Sequence, residues 1–97
     1  MALIELLYWE GCPSHPDALA MLRSILGDDA EIALLEIVDE EDAERERFVG
    51  SPTIRVDGVD LFPTDEPPSL NCRIYQLADG RFSPTPDPDE LRARLGV

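Results

Sequence analysis

Two cysteines and a single histidine are the residues of this 97-residue chain whose chemistry could act on a substrate. Cys12 follows an apolar run and precedes a helical pattern. At such a junction a sulfur faces unpaired backbone N–H groups and the positive end of a helix dipole, which favour thiolate over thiol. His15 lies three residues on, about one helical turn away. It could raise the thiolate fraction as imidazolium, shuttle a proton or help hold a soft metal, or be an ordinary first-turn residue. Cys72 opens a later apolar stretch and reads either as a partner of Cys12 or as a buried strand cysteine. A disulfide needs Cα atoms within about 7 Å, which sequence spacing does not decide. On this reading Cys12 is the nucleophile, expected to alkylate faster than Cys72, with Cys72 as the resolving thiol. Trp9, just before Cys12, is either a core or rim aromatic or a clamp on substrate.

The elements that must position these residues follow from apolar periodicity. Ala2 to Trp9 is apolar except for Glu5, the pattern of a strand covered on both faces. From Ala18 the residues Leu19, Leu22, Ile25 and Leu26 recur at helical spacing, and Gly27 stops them. The start of that helix has two solutions. It begins at Pro13 with a distorted first turn, because Pro16 lacks an N–H, or it begins near His15 with Ser14 and Asp17 as a capping box. The second leaves Cys12 in the loop, with weaker help from the dipole.

Ile32 to Val38 reads as a second buried strand. Asp39 to Phe48 is acidic and helix-prone, with Glu41 and Arg45 spaced for an i,i+4 pair. Thr53 to Val56 alternates as a half-buried strand, and Asp57-Gly58 turns it into Val59 to Phe62. Pro63 to Asn71 is a loop with three prolines, long enough to be a lid or binding loop and to carry Cys72 towards Cys12. Cys72 to Leu77 reads as an added strand turned at Asp79-Gly80, and a last helix spans about Asp87 to Leu95. The order β-α-β-α-β-β, an added strand, then α predicts one α/β domain over residues 1–97: a mixed central sheet with helices on both faces.

Charge narrows the partners. Eight arginines, no lysine and twenty-one acids give a net charge of −13. That field repels nucleic acid and anionic membranes, and the missing lysine excludes Schiff-base chemistry. Met1 to Glu5 carries no basic n-region or cleavage site, and no apolar run reaches about 18 residues, so the cytoplasm is the expected location.

Tyr8-Trp9-Glu10-Gly11-Cys12-Pro13 and Gly50-Ser51-Pro52-Thr53, in that order and spacing, resemble the thioredoxin superfamily. The resemblance implies a reactive Cys12 at the first helix, Pro52 as a cis-proline opposite it, and Ser51 and Thr53 lining the substrate site. Cys12-Pro13-Ser14-His15 stands where thioredoxins carry Cys-x-x-Cys. With Cys72-Arg73-Ile74-Tyr75 added, nearly the whole chain is similar to small bacterial alkylmercury-lyase-like thioredoxin-fold proteins, though His15 occupies the position of the lyase's acid.

Three functions remain open at this point. The first is a thiol oxidoreductase acting on a thiol or disulfide substrate without a cofactor. The second is a soft-metal or organomercurial site made by Cys12 and Cys72. The third is a non-enzymatic binding module.

Overall fold

The computed structural model describes residues 3–96. Its centre is β1 (Ile4–Tyr8), which pairs in parallel with β2 (Ile32–Glu36) and antiparallel with β3 (Thr53–Val56). A short β4 (Val59–Asp60) completes a mixed four-stranded sheet of order β2-β1-β3-β4. Alternation along the strands separates two cores. Leu6 and Ile54 point to one face, where α1 (His15–Leu26) contributes Ala18 and Leu22 and α3 (Pro88–Leu95) contributes Leu91. Leu7 points to the other face and meets Ile37, Phe48 and Ala43, the last on α2 (Glu40–Glu46). Helices cover both faces, as expected. None of the described helices is long and apolar enough to cross a membrane.

Local chemistry sets the helix ends. Helix α1 begins at His15, the second of the two solutions, with Pro16 in the first turn where no intrahelical N–H bond is lost. The capping box does not form. Ser14 has helical angles and its side chain makes no cap bond. Helix α2 is capped by Asp39, whose carboxylate accepts from Asp42 N at 2.8 Å. Arg45 pairs with Asp42 one turn back and with Glu46 rather than with Glu41. Asp87 caps α3 by accepting from Asp89 and Glu90 N, and a bond from Ala78 N, together with these two, holds its carboxyl below the ordinary value.

Two strand expectations are corrected. β2 is an edge strand rather than a strand buried on both faces: Leu34 is 52% exposed and belongs to neither core. Only β1 pairs with it, and Ile32 and Leu35 reach the margins of the two cores while remaining partly exposed. The stretch from Cys72 to Leu77 does not join the central sheet as a strand. β3 already has β1 on one edge and β4 on the other, so the β-type pairing of the later segment with this part of the chain is limited to one isolated bridge, Ser51 to Cys72. It then forms a separate two-stranded ribbon, β5 (Tyr75–Gln76) with β6 (Phe82–Ser83).

Phe48 is fully buried, whereas Phe82 is 72% exposed. Phe48→Ala should therefore cost about 3–5 kcal/mol in urea unfolding. Phe82→Ala should stay within about 0.5 kcal/mol of the parent.

Candidate functional site

The two cysteines meet. Cys12 lies in the turn after β1, its N–H donating to Trp9 O at 3.0 Å, and it is joined to Cys72 by a disulfide with a Cα separation of 5.6 Å. The sequence left this pairing open. The partners differ in environment: Cys12 is 1% exposed, while Cys72 is on the surface. Cys12 is thus buried in the turn rather than displayed at a helix terminus.

Ser51 and Pro52 hold the Cys72 side in place. Ser51 N donates to Asn71 O and Arg73 N donates to Ser51 O, both at 2.9 Å. Ser51 Oγ accepts from Trp9 N at 3.1 Å, so one buried serine ties the Cys12 turn to the Cys72 segment. The Ser51–Pro52 bond is cis, as the resemblance implied. Gly50 has a φ of 143°, and a Cβ there would sit 2.6 Å from Asn71 Oδ1 and 2.9 Å from Arg73 N. Only glycine lets the two backbones approach this closely. On the Cys12 side Gly11 makes room for a side chain instead, because the Trp9 indole fills the space its Cβ would take.

Behind the disulfide lies a buried network that sequence reading did not assign. Arg73 donates to Asp60 Oδ2 at 2.8 Å, to Thr53 Oγ1 at 3.3 Å and to Phe62 O, and its guanidinium lies 4.8 Å from the centre of the Tyr75 ring. Thr53 Oγ1 donates to Gly50 O at 2.6 Å. Tyr75 Oη donates to Pro52 O at 2.6 Å, and burial pushes its phenol well above the ordinary 10.0. The available signal was the i,i+2 spacing of Arg73 and Tyr75, which puts both on one side of an extended segment.

Ser51, Pro52 and Thr53 are buried, and the side chains of Ser51 and Thr53 are spent on internal bonds. They shape the turn, and Thr53 also borders a surface cleft beside Arg55 and Asp60. Trp9 is half-buried against the Leu7–Phe48 core. His15 stacks on Tyr8 at 4.1 Å, and its Nδ1 is buried without a hydrogen-bond partner. Among the described residues no three side chains of His, Cys, Asp or Glu are grouped to hold a metal. The Pro63–Asn71 loop is anchored at its far end, where Ser69 N donates to Phe48 O at 2.9 Å.

Comparison with family models, curated proteins and solved structures finds no match. The chemistry of the site therefore rests on its own geometry: a disulfide with one sheltered and one surface cysteine, set on a hydrogen-bonded turn.

Two substitutions test that construction. A phenol raised in the folded state stays protonated where the unfolded chain has ionised, so stability falls as pH climbs above 10.0. Tyr75→Phe should cost about 1 kcal/mol at neutral pH and flatten that alkaline limb in urea unfolding at graded pH. Gly50→Ala should cost more than about 2 kcal/mol, since both its φ and its Cβ are disallowed.

Proposed function

We propose that this chain is a cytoplasmic thiol–disulfide oxidoreductase of thioredoxin-like architecture, with Cys12 and Cys72 as its redox couple. The observation that carries this reading is the pairing itself: two cysteines 60 residues apart in sequence are brought to a Cα separation of 5.6 Å beside a cis-proline turn. Cys72 then supplies from a distant segment the second thiol that Cys12-Pro13-Ser14-His15 lacks locally. A strand–helix–strand start with a parallel β1–β2 pair, followed by an antiparallel β3–β4 hairpin, agrees with the proposed architecture. Reducing cytoplasm keeps protein thiols open unless they cycle, so a pair that closes there is one that exchanges. The net charge of −13 disfavours nucleic acid and anionic membrane as partners and leaves a thiol or disulfide substrate.

In one direction the pair oxidises two external thiols to a disulfide and becomes a dithiol. In the other it reduces an external disulfide and closes again. A native sample placed in buffers of graded dithiothreitol and its disulfide should open and close without unfolding, read by thiol counting and circular dichroism. Its dithiol should reduce an aromatic disulfide at least about tenfold faster than the same chain in urea. A bond that opens only as the chain unfolds would make the disulfide a structural staple and overturn the proposal.

A further inference from the structure

The thioredoxin-like reading puts substrate at Cys12, but burial in this chain reverses the roles. We propose that the external thiol attacks Cys72, with Cys12 as the leaving and resolving sulfur, and that the groove beside Cys72 selects cationic thiols. The inference rests on the oxidoreductase reading and adds the direction of attack and the class of substrate.

Thiol–disulfide exchange depends on which sulfur the nucleophile can reach. Cys12 is 1% exposed, enclosed by the turn that follows β1. Cys72 is exposed and lines a surface groove of about 1220 Å³ between the Pro63–Asn71 loop and the β5–α3 segment. The exchange balances. An incoming thiolate RS⁻ bonds to Cys72 Sγ, the Cys12–Cys72 bond breaks, and Cys12 departs with the electron pair as thiolate. A second RS⁻ attacks the mixed disulfide at the sulfur of R, giving RSSR and the Cys72 thiolate, and both protein thiolates take up the protons the reagents released.

Charge decides what enters the groove. Its charged lining residues are Glu66, Asp87, Asp89, Glu90, Arg73 and Arg94. Both arginines are already engaged: Arg73 by Asp60 and Phe62 O, Arg94 by Leu61 O and Glu90. Glu90 is itself the carboxylate paired with Arg94, so Glu66, Asp87 and Asp89 are left in the lining without an arginine partner, and the chain's net charge of −13 adds to the field. A positively charged thiol, or a cysteine flanked by basic residues, is drawn in, and an anionic thiol is repelled.

The probes are cysteamine, which is cationic, and 3-mercaptopropionate, which is anionic. Each is scored against its own rate on the neutral disulfide of 2-mercaptoethanol, which removes differences in intrinsic thiol reactivity. Oxidised native protein mixed with cysteamine, quenched in acid and alkylated, should carry the mixed disulfide on Cys72 and the alkyl label on Cys12 in peptide mass spectra. Among reduced variants, Cys12→Ser should form a mixed disulfide with the neutral reagent at least about tenfold faster than Cys72→Ser, and urea should erase the difference. Normalised rates should favour cysteamine by about fivefold or more at low ionic strength and converge near 1 M salt. A mixed disulfide on Cys12 would overturn the direction of attack while leaving the redox couple intact. Equal normalised rates for the two probes would overturn the charge selection. No exchange in the native state would remove both, together with the oxidoreductase reading.

Discussion

A segment of chain with almost no regular structure must be held against a small sheet, and the rest of the site follows from how this is done. Residues 63–74 contain no strand and no helix, so their backbone groups must find partners elsewhere or face water. They find them at the turn between α2 and β3. Ser69, Asn71 and Arg73 reach Phe48 O, Ser51 N and Ser51 O in turn, each at 2.9 Å. Those bonds need the two backbones close together, which the absence of a side chain at Gly50 permits. The same contact sets Cys72 opposite Cys12.

A buried guanidinium secures the joint from behind. Burying a cation is costly unless it is paired and its donors are used. Arg73 meets that condition with a carboxylate from β4, a hydroxyl from β3, a carbonyl from the loop after β4 and an aromatic face. A lysine could supply the charge but not the planar fork that reaches several partners at once. Arg55 applies the same chemistry across the sheet, bidentate to Glu5 on β1 and bonded to Glu46 on α2. In a chain so rich in acids, arginines placed at such seams join elements that would otherwise repel.

The central sheet was legible in the sequence because β1, α1 and the β3–β4 hairpin carry their periodicity locally. Leu6 and Leu7, adjacent and both fully buried, mark β1 as the middle strand. β2 was misread because an apolar run signals burial but does not reveal that only one neighbour will pair with it. The site was partly legible. Cys12, Cys72 and the Gly50–Thr53 turn stood out by residue type and order, and a resemblance supplied the cis bond at Pro52. The Arg73–Asp60–Thr53 network was not, because it joins three segments through side-chain contacts at separations of 13 and 20 residues. The difference in exposure between the cysteines was equally hidden, since it depends on how the Pro63–Asn71 loop lies.

A disulfide closing a 60-residue loop would be worth about 4 kcal/mol of chain entropy if nothing else held its ends together. Here much else does. Hydrogen bonds from residues 69, 71, 73 and 75 fix the Cys72 segment independently of the sulfur–sulfur bond, and Arg73 adds an ion pair. On the redox reading these bonds keep Cys72 facing Cys12 in the dithiol, so that reclosure needs little chain search. A staple carries its stabilisation in the bond it forms, whereas a redox couple works best when its two sulfurs stay positioned in both states. The bonds that position Cys72 without the disulfide are what support the redox reading over the structural one.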